Sequence, residues 1–188
     1  TIPEGYEGLG LTMEEEVYVA FELGRTSPAF RSLIGTNNGI GSSGLIIDGT
    51  EAQKSFFLPR LARGEVISSF CLTEPDAGSD ANSGKTRAKL SEDGKHYIIN
   101  GQKMWISNAG FAEIFIVFAK IDDDKNITGF IVERGTEGLS FGEEENKLGI
   151  RSSSTRQVFF NDMKVPVENL LGERNNGFKI ALNALNVG

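Results

Sequence analysis

The spacing of apolar residues changes twice along the 188-residue chain, and this change restricts the fold more than any other feature. Up to residue 65 the spacing is helical, as at Val17 and Phe21. Short runs rich in Ile, Val and Phe then alternate with turn residues, and helical spacing returns near the end. This order predicts an α+β fold, with an antiparallel β-barrel or sandwich over 66–171 between truncated helical domains over 1–65 and 172–188.

Local signals predict where several elements begin and end. Thr12, followed by acidic residues, and Thr50, followed by Gln53, are typical of helix N-termini. The glycine-rich stretch 35–44 indicates a connection between helices. Asp-Gly and Asn-Gly pairs favour tight hairpins. The predicted strands are Val66–Leu72, Thr86–Leu90, Tyr97–Asn100, Lys103–Ser107, Ile114–Lys120, Thr128–Glu133 and Gln157–Asn161, with hairpin turns at Asp93-Gly94 and Asn100-Gly101.

Composition excludes several classes of protein. Cys71 is the only cysteine and His96 the only histidine, so the sequence offers neither an internal disulfide nor a Cys/His zinc site. His96 lies in a polar run typical of a hairpin tip. The net charge of -7 argues against a nucleic-acid partner, and no apolar run approaches the roughly 20 residues of a membrane span. Because the chain lacks an initial Met and stops within a helical pattern, both ends are expected to be cuts.

The segment from Phe70 to Asp80 is the first candidate site. A strand ends near Leu72, and Pro75 and Gly78 shape a tight loop whose backbone N–H groups can converge on an anion. Thr73 and Ser79 add hydroxyl donors to the loop. A plain β-turn linker explains the same residues.

The second candidate site is the predicted strand 103–108, which holds the only tryptophan. Trp105 and Ser107 would alternate onto one face, where an indole beside a hydroxyl can seat a flat heteroaromatic ring. A core tryptophan beside a satisfied serine is the competing interpretation. In a third segment, Arg151 and Arg156 lie among hydroxyl residues and would either bind phosphate or remain surface charges.

Taken together and in order, these segments resemble the acyl-CoA dehydrogenase family over nearly the whole chain. The resemblance rests on Cys71–Asp80, Lys103–Asn108, Leu148–Ser153 and Val165–Gly172, and it continues at Gly177-Phe178-Lys179. Residues 50–54, 58–61, 70–75 and 185–188 are similar to the very-long-chain branch in particular. Phe70 departs from the family, since many members carry Tyr there.

The resemblance implies an FAD-dependent oxidoreductase that desaturates the α,β bond of long-chain acyl-CoA thioesters in fatty-acid β-oxidation. It implies FAD contacts from Phe70, Cys71, Leu72, Thr73, Gly78, Ser79, Trp105, Ile106 and Ser107. It also implies substrate contacts from Ser79, Asn186, Val187 and Gly188. No catalytic residue or metal ligand is assigned here, because the family's catalytic glutamate is expected beyond Gly188. The 188 residues alone are therefore expected to be inactive.

The resemblance also implies partners and alternatives. Electrons would pass to an electron-transfer flavoprotein, and the full-length protein would form homo-oligomers. The protein would be cytoplasmic if bacterial, and would lie in the mitochondrial matrix or at the inner-membrane face if eukaryotic. An acyl-CoA oxidase or a flavin monooxygenase on the same fold remains open, as does a non-catalytic β-domain used for binding.

Overall fold

A computed structural model of the chain describes residues 2–186, in which five α-helices flank a β-sheet at both ends of the sequence. The helices are α1 (Met13–Thr26), α2 (Pro28–Gly35), α3 (Gly41–Asp48), α4 (Glu51–Ala62) and α5 (Gly177–Leu185). One π-helical turn, Thr36–Ile40, joins α2 to α3. Short 3-10 turns cover Glu4–Tyr6, Ala81–Ser83 and Val167–Asn169.

Both predicted helix caps are confirmed, because each uses contacts within a single turn. The Thr12 hydroxyl accepts from the Glu15 amide, and the Thr12 amide donates to the Glu15 carboxylate at 2.8 Å. Thr50 and Gln53 form the same reciprocal pair at the start of α4. The Gln53 side chain also donates to the carbonyls of Glu168 and Leu170, which fixes α4 against the sheet.

The connection predicted over 35–44 is much shorter than the stretch, because the backbone is helical except for a kink at Gly39, whose φ and ψ are -92° and -108°. Gly41, by contrast, serves close packing. A Cβ at Gly41 would clash with the Ser68 hydroxyl of the first strand. The Ser42 and Ser43 hydroxyls donate to the Asn38 and Gly39 carbonyls, so the helix satisfies its own polar groups.

Eight strands form one sheet with the order β6-β7-β3-β2-β4-β5-β8, and β1 pairs separately with β4. The strands are β1 (Ser68–Cys71), β2 (Arg87–Leu90), β3 (His96–Ser107), β4 (Ile114–Ile121), β5 (Thr128–Glu133), β6 (Leu139–Glu144), β7 (Thr155–Pro166) and β8 (Leu170–Leu171). The strands β6 and β8 were not predicted.

The sheet is mixed, which corrects the antiparallel prediction. Both β1 and β2 run parallel to β4, with Cys71 opposite Val117 and Arg87 opposite Lys120. The remaining pairs are antiparallel. The two parallel pairs arise because the chain leaves β1 through a loop, completes the β2–β3 hairpin, and only then enters β4.

The Asn100-Gly101 pair does not form a hairpin, so this prediction is wrong as well. β3 runs through it, and a register shift against β7 falls between Ile99 and Gly101. Gly101 has a φ of +147°, and a Cβ there would clash with Thr86. The Asp93-Gly94 pair does lie in the turn between β2 and β3.

The strand β4 is buried on both faces and separates two hydrophobic cores. Phe115 and Val117 face an inner core lined by β3, β5 and β7. Ile116 and Phe118 face a second core built with α3, α4 and α5. Every one of these four side chains is at most 1% exposed. The helical layer therefore packs directly on the strand that borders β1.

Helix α5 confirms the helical period predicted after residue 172. Ile180, Ala181 and Ala184 are buried, whereas Phe178, Leu182 and Leu185 are 36%, 47% and 48% exposed. The helix begins where the Gly177 amide donates to the Ile127 carbonyl at 2.7 Å, so its start is tied to the sheet.

Candidate functional site

The loop between β1 and β2, residues 72–86, is folded tightly at its start. The amides and carbonyls of Glu74 and Ala77 bond reciprocally at 3.0 and 3.1 Å around Pro75. The loop lies against β3, because the Met104 amide donates to the Thr73 carbonyl at 2.9 Å. The structure thus brings together Thr73 and the Trp105 strand, the two candidate segments of the sequence.

A bulge in β3 turns the tryptophan outward. The register against β7 shifts between Lys103 and Ile106, and Trp105 has a φ of +57°, which is uncommon for a bulky residue. Trp105 is 63% exposed, whereas Ile106 is 2% exposed. The competing interpretation of a core tryptophan is therefore wrong, and the indole is available to a ligand.

Several side chains at this site have hydrogen-bonding groups that are not used within the protein. Over residues 2–186, the hydroxyls of Thr73, Ser79 and Ser107 and the indole N–H of Trp105 bond to no other protein group. The Ser107 carbonyl, by contrast, accepts from the Ser69 hydroxyl at 2.6 Å, which holds the end of β3 on β1. An accessible indole, free hydroxyls and a loop with open space at Gly78 fit a cofactor with a flat ring and a phosphate.

Four of the candidate ligands point their side chains into the protein, and one of them is Leu72, which is 9% exposed and packs in the core shared with α4. Phe70 packs edge-to-face on Phe118, with ring centroids 5.2 Å apart. Cys71 is fully buried and Ile106 nearly so. Any contact of Cys71 or Ile106 with a ligand must therefore use the backbone. Burial raises the pKa of the Cys71 thiol to about 12, so the thiol is not a nucleophile.

Sequence reasoning missed the buried ion pair behind the loop. The Lys103 ammonium donates to the Glu74 carboxylate at 2.7 Å and to the Leu72 carbonyl at 3.0 Å. The side chains of Lys103 and Glu74 are 2% and 5% exposed. A lysine on the inward face of a strand was the available signal, because a buried cation requires a partner.

The pair is held in its ionised form by its surroundings. Burial by itself would raise the pKa of the Glu74 carboxyl, but the Lys103 ammonium and the donors of Thr86 and Lys85 outweigh it and lower the pKa. Burial lowers the pKa of Lys103, and the Glu74 carboxylate opposes this effect. A carboxylate with its oxygens engaged in this way is poorly suited to abstract a proton from a substrate.

The third candidate segment, which holds Arg151 and Arg156, bonds to neighbouring parts of the protein. Arg156 bonds to the Glu144 carboxylate at 2.7 Å, and Arg151 donates to the Lys147 carbonyl at 3.0 Å. Arg151 is exposed, as are Leu148 and Ile150. No contact joins these arginines to the loop or to Trp105 within the described residues. Because Arg156 is already paired with Glu144, a phosphate site is less favoured at Arg156 than at loop 72–86.

The remaining candidate residues lie at the margins of the site. Gly78 and Ser79 are exposed beyond the tight turn, and no hydrogen bond connects them to β3 among residues 2–186. Asn186 is exposed after α5. The substrate assignments for Val187 and Gly188 lie outside the described residues.

Three further features concern the described part of the chain. No cluster of three or more metal-ligating side chains occurs within the part of the chain that the structure describes. An apolar cavity of about 300 Å³ lies between α1 and α2, and none of its lining residues belongs to the loop or to β3. In the same described part, every helix is too short or too polar to cross a membrane.

Fold and site together define a protein with a helical layer packed on a β-domain, which carries a tight loop beside a strand with an exposed tryptophan. Known families match this division. Residues 1–65 match the acyl-CoA dehydrogenase N-terminal domain, and residues 69–163 match the acyl-CoA dehydrogenase middle domain. The chain belongs to the acyl-CoA dehydrogenase family.

Individual relatives agree with this assignment. A probable acyl-CoA dehydrogenase of Bacillus subtilis (strain 168) is 46% identical over all of this chain and 31% of its own length. The mitochondrial very long-chain specific acyl-CoA dehydrogenase of Homo sapiens is 44% identical over all of this chain and 30% of its own. The crystal structure of an acyl-CoA dehydrogenase complexed with FAD from Bacillus anthracis superposes with a TM-score of 0.94 at 45% identity, covering 100% of this chain and 32% of that one. The chain thus spans about a third of the length of these relatives.

Proposed function

We propose that this chain forms the flavin-binding and acyl-CoA-binding part of an FAD-dependent acyl-CoA dehydrogenase. The observation that carries the proposal is the contact between loop 72–86 and the bulged strand β3. This contact supports the proposal because it joins Thr73 to the strand that carries the exposed Trp105 and Ser107, and the hydroxyls of Thr73 and Ser107 have no partner among the described residues. We further propose the long-chain acyl-CoA class as substrate, supported by the 44% identity to the human very long-chain enzyme.

The residues of this chain would bind and orient. Trp105 would pack against the flat ring, and the hydroxyls of Thr73 and Ser107 would donate hydrogen bonds to it. Gly78 and Ser79 would contact the pyrophosphate, with Ser79 also near the CoA, and Asn186 would lie near the substrate. FAD, when bound, supplies the acceptor for the hydride that leaves the β carbon. Donors aimed at a ring that gains electron density favour its reduction.

The base that removes the α proton is not assigned to any described residue. Glu74 is the acidic residue nearest to the proposed seat in sequence, but its oxygens accept bonds from Lys103, Thr86 and Lys85. We propose electron-transfer flavoprotein as the acceptor of the electrons and a homo-oligomer as the working form, both on the strength of the family resemblance.

The test uses the protein expressed from the complete gene. We expect a yellow protein with one FAD per chain, whose visible absorbance is bleached anaerobically by a long-chain acyl-CoA and restored by electron-transfer flavoprotein. A colourless protein that does not take up added FAD would refute the proposal. Rapid reoxidation by air, without the flavoprotein, would favour the oxidase alternative.

Matched substitutions test the seat itself. Thr73→Val and Ser107→Ala each remove one unused hydroxyl, and the loss of one hydrogen bond should weaken FAD binding about twofold to tenfold. Ser55→Ala is the control, since Ser55 is exposed on α4 and makes no hydrogen bond within the described part of the protein. Unchanged FAD affinity in both site variants would remove these residues from the binding site.

A further inference from the structure

The Glu74–Lys103 pair connects the two segments that would hold the cofactor, although neither charge reaches the surface. Lys103 belongs to β3, two residues before Trp105, and Glu74 follows Thr73 in loop 72–86. The single ammonium also binds the Leu72 carbonyl, so it joins the strand to two points of the loop.

Glu74 in turn holds the far end of the loop. Its carboxylate accepts from the backbone amides of Lys85 and Thr86, the last residues before β2. Gly84 leaves room for it, because a Cβ there would lie 2.8 Å from the Glu74 Oε1 atom. The carboxylate therefore joins the start and the end of the loop, and Lys103 joins both to β3.

Stability alone is a weak reason to keep such a pair. The cost of removing two charges from water generally cancels most of their attraction, and apolar replacements of similar volume are often equally stable. What an apolar replacement cannot reproduce is the directed bond from one strand residue to the Leu72 carbonyl and the Glu74 carboxylate.

We propose that Lys103 and Glu74 are positioning residues, which fix the backbone of Leu72 and Thr73 relative to Trp105 and thereby set the geometry of the flavin seat. This inference rests on the proposed function for its consequence, which is cofactor affinity. Its structural part, the position of the loop on β3, is independent of any cofactor.

The test compares three variants in the protein expressed from the complete gene. Lys103→Met/Glu74→Gln leaves no unpaired charge, and the new amide side chain keeps an oxygen for the Lys85 and Thr86 amides, so the main loss is that of the ammonium contacts. Glu74→Gln alone keeps an ammonium beside the Leu72 carbonyl but leaves it buried without a carboxylate, so this variant measures the cost of an unpaired charge. Lys85→Met is the control, because it removes an ion pair with Asp76 from the same loop, whose side chains are 74% and 65% exposed.

Two measurements follow the geometry. Hydrogen exchange at the Met104 amide reports its bond to the Thr73 carbonyl without any cofactor. The FAD dissociation constant and the visible flavin spectrum report the seat. In the double variant we expect exchange at Met104 and the FAD dissociation constant to rise by about tenfold or more, as for the loss of hydrogen bonds to a charged group, with the melting temperature of the cofactor-free protein little changed. Glu74→Gln should lower the melting temperature more than the double variant does, because its buried ammonium has lost the carboxylate. Lys85→Met should change neither exchange nor FAD affinity by more than about twofold.

Each contrary result has a distinct meaning. Unchanged exchange and FAD affinity in the double variant would overturn the positioning role. Failure of the double variant to fold would make the pair a requirement for folding and would overturn the inference as well. If the unmodified protein binds no FAD, the proposed function fails, while exchange at Met104 still decides whether Lys103 holds the loop.

Discussion

Replacing Asn108 should reveal how firmly the N-terminal helices are tied to the proposed cofactor strand. Asn108 directly follows Ser107, is 1% exposed and has a φ of +64°. Its side-chain amide donates to the carbonyls of Leu33 in α2 and Ser68 in β1, both at 3.2 Å. Among the described residues, its Oδ1 atom is buried without a partner. One side chain thus joins a helix, a strand and a left-handed turn.

The magnitude follows from these contacts. Asn108→Ala deletes two hydrogen bonds, worth about 0.5–1.5 kcal/mol each, and leaves two carbonyls less well satisfied. Alanine adds about 1–2 kcal/mol of strain in the left-handed region. Deleting the unpartnered oxygen recovers on the order of 1 kcal/mol. We therefore expect a loss of about 1–4 kcal/mol in the free energy of unfolding.

A three-variant series separates the contributions. Asn108→Gly makes the same deletions without the strain, so it should be about 0.5–1 kcal/mol less destabilising than Ala after allowing for its more flexible unfolded chain. Asn108→Asp preserves the shape but places a carboxylate against two carbonyl oxygens, so it should be the most destabilising of the three. Urea unfolding followed by the fluorescence of Trp105 measures all three, with stability read from the midpoint at constant slope. An alanine variant within about 0.5 kcal/mol of the parent, or an aspartate variant more stable than it, would refute this reasoning.

Three other predictions concern burial and charge. Phe118→Ala should lower the free energy of unfolding by about 3–5 kcal/mol, because the side chain is fully buried against Phe70. Leu148→Ala is the control: its side chain is 99% exposed, so the change should be less than about 0.5 kcal/mol. Chemical denaturation compares the two variants. The Cys71 thiol, with a pKa raised to about 12, should resist alkylation at about pH 8 in the folded protein and react once unfolded; rapid alkylation of the native protein would contradict its burial. The folded pKa of Glu74 lies below the ordinary glutamate value, about 4.3. The carboxylate therefore stabilises the folded protein above that pH, and this contribution is lost as the pH falls through the lower folded value. Glu74→Gln should flatten the acid side of the plot of stability against pH, and an unchanged plot would contradict the shift.

Local patterns predicted the elements whose signals lie within a few residues. The caps at Thr12 and Thr50 need only one helical turn, and the strand β5 was predicted with its observed bounds. The strand β6 was missed because Leu139–Glu144 is half polar and lies at an edge of the sheet. The Asn100-Gly101 pair permits either a hairpin or a bulge, and the pairing of β3 with β7, distant in sequence, decides between them.

In the candidate site, too, some features could be predicted from the sequence and others depend on how the strands pair. The resemblance implies one FAD site that uses both the loop and the Trp105 strand, and the Met104–Thr73 bond shows that these two segments are in contact. The bulge at Trp105 and the partnership of Lys103 with Glu74 could not be predicted from spacing, because both depend on a register that is set by neighbouring strands. The ligand contacts of individual residues remain predictions.

The parallel pairing of both β1 and β2 with β4 has a consequence for how the loop can change. The loop leaves the sheet opposite Val117 and re-enters it opposite Lys120, so its two ends are held only about 10 Å apart on one edge of one strand. Loops with ends so close behave as self-contained surface units, and doubling the length of a flexible one costs only about 0.6 kcal/mol. Within the loop, Ala77 bonds to Glu74, and Asn82 bonds to Asn126 and Ile127, so these two residues are anchored. The exposed residues 78–80 between them are therefore the part where a change of length should leave the register of the sheet unchanged.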